Sequence, residues 1–322
     1  MMHRIKKQHA LLDAILDRRK LLTNSAKGSA GLIMASALLQ SACSGNAPTL
    51  TVNGLNASLW LISGAGCNVL VKKAGDGELL VIDGGLEQNA AALQTTIAQV
   101  AGSENISTLI NTHWHREQTG LNRILGEAGV RIFSHENTRQ WLSVDIQRPW
   151  EELGFEALAL AAQPTESFYH YGDFQHADTL VQYGHLLQAH TDGDMYVYFP
   201  EDNVLHAGGV VSNDGYPIID WWTGGWIGGL VDGLETLLGI ANQDTVIVPA
   251  NGPVMSRAEL VVMRDMYDTI FQRIRTLFMS AYGPQDTLNA APTAEFDAQW
   301  GDPDLFVLLA HQSVLPHYSP DA

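Results

Sequence analysis

Thr112-His113-Trp114-His115-Arg116-Glu117-Gln118-Thr119-Gly120 is the stretch on which this chain turns. It follows residues 107–110 (STLI), whose β-branched and aliphatic side chains predict a strand running out into Asn111. His-x-His at a strand end sets two imidazoles on one side of the chain, close enough to chelate one ion. Neutral imidazole suits zinc, and a third histidine completes the open three-ligand geometry of catalytic zinc. A bare pair of this spacing also arises by chance among the ten histidines beyond the first 44 residues, so its surroundings decide its meaning.

Outward from this stretch the chain alternates β-rich and helical runs. Residues 57–62 (ASLWLI), 67–71 (CNVLV) and 78–82 (ELLVI) predict strands, the last ending in the turn Asp83-Gly84-Gly85. Residues 87–100 predict a helix with Leu93, Ile97 and Val100 on one face. A short helix over 118–126 and a strand over 130–133 follow. Residues 149–178 lack periodicity and read as a loop-rich excursion. Strands are expected at 186–189, 195–199, 203–206 and 245–248. Residues 257–278 form the best helical pattern, with Met263, Tyr267, Ile270, Ile274 and Leu277 in one stripe. No repeat or low-complexity segment breaks the α/β alternation, and 50–322 reads as a single domain with a C-terminal extension.

The motifs in order are Val81-Ile82-Asp83-Gly84-Gly85, the stretch 112–120, His190-Thr191-Asp192-Gly193-Asp194, His206-Ala207-Gly208-Gly209, and Pro249-Ala250-Asn251-Gly252-Pro253. Together they resemble the metallo-β-lactamase fold superfamily, in particular its exported hydrolase-like members. Residues 213–220 (NDGYPIID) and 291–301 (APTAEFDAQWG) look like the same subfamily. The resemblance runs from about residue 50 to the C-terminus. It implies a four-layer αββα sandwich with the site at one edge, where strand ends meet. It also implies a first metal site on His113, His115 and His190, with Asp83 beneath the metal loop orienting a ligand.

The departures from that pattern carry as much weight. The resemblance assigns the second metal an Asp and a His from the first motif, a bridging Asp, and a His from the last. Glu117, Gln118, Gly209 and Asn251 stand there instead. Zinc rarely takes amide oxygens, and glycine offers no side chain, so one zinc ion is expected rather than two. Three neutral imidazoles leave the ion its full charge and an open position. Water held there reaches a pKa of about 7. Glu117, two residues past His115, is placed as general base or as a further ligand. With no second ion to stabilise a departing group, the expected substrates are esters, lactones or thioesters before β-lactams. The alternative is a non-catalytic relative that keeps fold and pocket for binding a ligand or partner.

Composition bounds the rest. Of 322 residues 46% are hydrophobic, enough for a large core. Acids outnumber bases 35 to 18, and seven of those bases lie in the first 44 residues. The acidic remainder excludes nucleic acid as a partner and leaves a small-molecule substrate as the expected one. Residues 1–44 read as an export signal of twin-arginine type. Basic residues lead to Arg18-Arg19, an apolar run of about ten residues follows, and small residues come before and after Cys43. That run is too short to span a bilayer, so no stable membrane span is expected in the mature protein. A periplasmic location follows, with lipid attachment at Cys43 as the minor alternative. Removing the leader leaves Cys67 and no internal disulfide. Trp221, Trp222 and Trp226 lie among glycines and are candidates for the pocket mouth, with core packing an equal reading. His206 reads as a packed strand histidine. The sequence leaves the oligomeric state open.

Overall fold

The computed structural model describes residues 48–318, so the expected export signal, its arginine pair and Cys43 lie outside the described residues. Seven strands form the first sheet in sequence order: β1 (Thr51–Asn56), β2 (Leu59–Ser63), β3 (Val69–Lys73), β4 (Leu79–Ile82), β5 (Ile106–Asn111), β6 (Arg131–His135) and β7 (Glu166–Phe168). The first four pair antiparallel and β4 to β7 pair parallel. Parallel neighbours need crossovers, and the first two carry α1 (Ala90–Ala101) and α2 (Asn122–Glu127). The second sheet runs β12 (Val246–Val248), β11 (Val204–His206), β10 (Met195–Phe199), β9 (Thr179–His185), β8 (Tyr171–His176). The fold is the αββα sandwich.

β4 shows how the layers are specified. All four of its residues are buried, because both faces of this strand are covered. Side chains alternate, so Leu79 and Val81 join the cluster under α1 with Leu93, Ile97 and Ala101. Leu80 and Ile82 join the cluster between the sheets, with Ile110, Phe133, Met195, Val197 and Phe199. Each fully buried Leu or Ile contributes roughly 1.5–3 kcal/mol of burial. α1 stops at Gly102, whose φ of +59° gives the left-handed turn that ends helices.

The helical layer over the second sheet departs most from the sequence pattern. The expected helix is α5 (Arg257–Met279), opened by a capping box between Ser256 and Glu259. It packs against α4 (Ile227–Ile240), a helix absent from the pattern. Glycines at 228, 229, 233 and 239 depress its intrinsic propensity, and burial of its leucines overrides that. Past residue 283 the chain forms α6 (Pro284–Asn289), α7 (Asp297–Trp300) and α8 (Asp304–Tyr318). The excursion at 149–178 holds β7 and β8. The expected strand at 186–189 lies earlier, as β9, because 186–189 turns to deliver His190. α3 (Glu136–Trp141) follows β6 directly.

Among the described residues, 145–156 fall outside the compact unit made by 48–144 and 157–318. Within this segment Ile146 pairs antiparallel with Phe155, Arg148 forms an ion pair with Glu151, and the Arg148 guanidinium lies over the Trp150 ring. No helix among the described residues is long and apolar enough to cross a membrane.

Candidate metal centre

The centre begins where β4 and β5 end side by side. Asp83, just past β4, is fully buried and adopts φ +62°, a left-handed conformation that Asp tolerates better than most residues. There its Oδ1 accepts from the Thr112 backbone N–H and its Oδ2 from the Thr112 hydroxyl, each at 2.8 Å. Burial pushes its pKa up to about 8, with the two Thr112 donors working against that rise. Asn111 and Asn122 exchange amide hydrogen bonds at 2.8 and 2.9 Å, tying the end of β5 to α2. The loop between them, which carries His113 and His115, is therefore held at both ends.

His190 arrives from the second sheet. Its loop is closed by the Thr191 backbone N–H donating to Asp194 Oδ2 at 2.6 Å. The first turn of α3 grips the same loop, with Asn137 donating to the Asp192 carbonyl and Thr138 to the Gly193 carbonyl. Asp192 also accepts from the Trp141 indole at 2.7 Å, and burial pushes its pKa up to about 6. Met195 N–H donates to Thr112 C=O at 3.0 Å, so the two sheets are joined beside the site.

The three histidines converge. His113, His115 and His190 are all buried, their rings edge-on with centroids 4.8 to 4.9 Å apart. Their nitrogens lie within 4.8 Å of one another, and no other trio of His, Cys, Asp or Glu among the described residues forms such a group. His115 Nε2 lies 2.9 Å from Asp220 Oδ2. A carboxylate accepts and does not donate, so this nitrogen carries the proton and Nδ1 keeps its lone pair. That Nδ1 faces His190 Nε2 at 3.1 Å, a spacing that needs a proton or a cation between the two. His113 Nδ1 lies 3.1 Å from the Thr112 hydroxyl. That hydroxyl donates to Asp83, so it accepts from His113 Nδ1–H, which puts the lone pair of His113 on Nε2. Three imidazoles, two of them with their outer nitrogen tied to oxygen, are the donor set of a divalent, zinc-like ion. The residues present fit one such ion.

Asp220 is the residue sequence reasoning missed. Its carboxylate is fully buried and also accepts from the Thr223 N–H at 3.2 Å, capping the turn at Trp221–Thr223. Nothing local in Ile219-Asp220-Trp221 marks it; its place at the end of the 213–220 segment was the one available signal.

Each remaining candidate has its own surroundings. Glu117 is half-buried on the metal loop. The Cys67 thiol is pushed well up by burial first, and then by the charges of Asp83 and Glu117. Gln118 is buried with no hydrogen-bond partner for its Oε1. Asn251 is half-buried and its backbone carbonyl accepts from Asn213. Gly209 lies directly against His113 and His190. Trp221 and Trp222 meet edge to face next to Asp220, and Trp222 is exposed. Trp226 does not join them at a pocket mouth. Its ring stacks on His317 of α8 at 3.8 Å and meets Phe271 of α5 edge-on. The glycines beside it make room for that ring, since a Cβ at Gly228 would come within 2.3 Å of it. His206 is fully buried on β11, and burial holds its pKa at about 4.

Similarity to known proteins agrees with this geometry. The fold is similar to a metallo-beta-lactamase from Pontibacter korlensis, with a TM-score of 0.56 and 16% identity, over 68% of this chain and 99% of that one. The DIM-1 metallo-beta-lactamase gives 0.54 at 17% identity, over 69% of this chain and 98% of the other. The stereoselective inverting sec-alkylsulfatase Pisa1 from Pseudomonas sp. gives 0.64 at 16% identity, over 84% of this chain and 51% of that longer one. Residues 64–251 match the sequence profile of the Metallo-beta-lactamase superfamily. That match takes in all three converging histidines and Asp220, and this chain belongs to the metallo-beta-lactamase superfamily.

Proposed function

We propose that this protein is an exported hydrolase with residues 50–322 as its domain, holding one zinc ion on His113, His115 and His190. The supporting observation is that Asp220 fixes the proton on the far side of His115, so that His115 Nδ1 and His190 Nε2 face each other at 3.1 Å. An ion bound there supplies Lewis acidity and lowers the pKa of a water molecule it holds.

This chain's own residues do the rest. His113, His115 and His190 hold the ion as neutral donors, while Asp83, Thr112 and Asp220 set their orientation. Glu117, on the same loop and half-buried, is the general base that takes a proton from the attacking water. Trp221 and Trp222 provide an apolar wall for the acyl or leaving group. One ion leaves the departing group without a second cation, which favours esters, lactones and thioesters over β-lactam amides. Overlap with the alkylsulfatase over 84% of this chain adds sulfate esters to that group. A twin-arginine leader suits export of a protein already loaded with its metal, with the periplasm as its place of work.

Elemental analysis of the dialysed mature protein tests the reading. Near one zinc per chain is expected, lost in His113→Ala. An ester panel should then show turnover that falls roughly 10²- to 10⁴-fold in Glu117→Gln with zinc retained. Efficient β-lactam turnover would overturn the substrate assignment. A folded protein without metal would instead favour a binding role. The unpartnered amide oxygen of Gln118, at a position the resemblance gives to a metal ligand, is the observation on that side.

A further inference from the structure

Gly208 and Gly209 sit side by side in the turn after β11, and they are glycine for different reasons. Gly208 has φ +59°, and a Cβ there would meet the Met195 carbonyl at 2.6 Å. Its backbone conformation demands glycine. Gly209 has no positive φ. A Cβ there, however, would fall 2.5 Å from His190 Cδ2, 2.9 Å from His113 Cε1 and 3.1 Å from His113 Nδ1. What Gly209 supplies is space, and two of the three converging imidazoles fill it.

A site that has merely lost a side chain keeps the hole that side chain occupied, because surrounding groups collapse only in part. Here the gap is smaller than one methyl group. Each imidazole is held elsewhere: His113 Nδ1 lies 3.1 Å from the Thr112 hydroxyl, and His190 Nε2 lies 3.1 Å from His115 Nδ1. Neither ring can retreat from position 209 without breaking these arrangements.

We propose that Gly209 is a specificity-determining residue of the centre, its bare backbone closing the trio around a single ion and leaving no volume for a side-chain ligand or a second metal on that side. This rests on the metal reading of His113, His115 and His190. It goes further in making the glycine a requirement of the site, so that restoring an acid at 209 would dismantle the first position before it built a second.

The test uses the full mature protein as wild type, Gly209→Ala, Gly209→Asp and the control Gly239→Ala, whose added Cβ meets nothing within 4 Å. Zinc per chain, zinc affinity by chelator competition and the visible spectrum of the cobalt(II) form are measured. So is thermal unfolding of the metal-stripped proteins. Gly209→Ala is expected to weaken zinc about tenfold or more, change the cobalt spectrum, and melt below wild type when stripped. Gly209→Asp should hold fewer than one ion, and the control should match wild type in zinc and spectrum while melting at or slightly above it. Wild-type affinity in Gly209→Ala, or two ions in Gly209→Asp, would overturn the proposal. If Gly209→Asp does not fold, Gly209→Ala decides alone. If the wild type itself holds no metal, the proposed function fails while stripped-protein melting still judges the steric claim. Gly209→Ala melting at or above wild type sinks that claim, and melting below it supports it.

Discussion

His115 Nε2 and Asp220 Oδ2 lie 2.9 Å apart, joined across 105 residues of sequence, and this pair sets which nitrogen of His115 faces the other two histidines. Asp220 accepts with both oxygens, one from the imidazole and one from the Thr223 N–H, and is fully buried. Asp220→Asn keeps the size and the hydrogen-bonding reach but lets an amide donor turn toward His115. Zinc affinity measured by chelator competition is expected to drop about 10- to 100-fold while far-ultraviolet circular dichroism stays that of wild type. Unchanged affinity would mean that the loop alone orients His115.

Trp114 meets the His115 ring edge-on with centroids 4.6 Å apart, and its indole N–H donates to the Thr223 hydroxyl at 3.1 Å. Thr223→Val keeps the shape and removes the acceptor in a fully buried setting. Urea unfolding should show a loss of about 1–3 kcal/mol. A loss within a few tenths of a kcal/mol would place the support of Trp114 elsewhere.

His135 and His185 stack with centroids 3.8 Å apart, next to the α3 turn that grips the His190 loop. Burial, then the neighbouring His185, holds the His135 pKa down to about 4, while Glu136 and the Tyr169 carbonyl pull it upward and His170 lowers it further. The unfolded chain takes up its proton near the ordinary imidazole value of about 6.5. Between those values the unfolded state binds more protons, so stability is full above about pH 6.5 and is lost as pH falls toward 4. His135→Gln removes this titration. Urea midpoints from pH 7 to pH 4 should converge for the two proteins as acid is added, by up to about 1.4 kcal/mol per pH unit. Parallel curves would show that His135 takes up its proton equally in the folded and unfolded protein.

Much of this site was legible in the chain because its signals are local. A strand end followed by His-x-His, a strand ending in Asp-Gly-Gly, and a histidine opening a Thr-Asp-Gly-Asp turn each announce themselves within a few residues. The pairing of β4 with β5 then brings Asp83 to Thr112, as the motif order implied. The strands from β2 to β6 and the helices α1 and α5 were equally readable, since one or both faces are apolar at regular spacing.

What the sequence determined by itself was the α/β pattern, the three histidines and the four altered positions around them. Tertiary structure alone decided the rest. α4 forms although its four glycines disfavour a helix, because burial of its leucines outweighs propensity. Trp226 packs among α5 and α8 rather than at a pocket, because its flanking glycines leave room for the ring. Asp220 becomes the partner of His115, and Gly209 the floor beneath two imidazoles, only when strand ends from two sheets meet. Spacing along the chain records neither relation, because contacts between distant residues are made by packing and not by period.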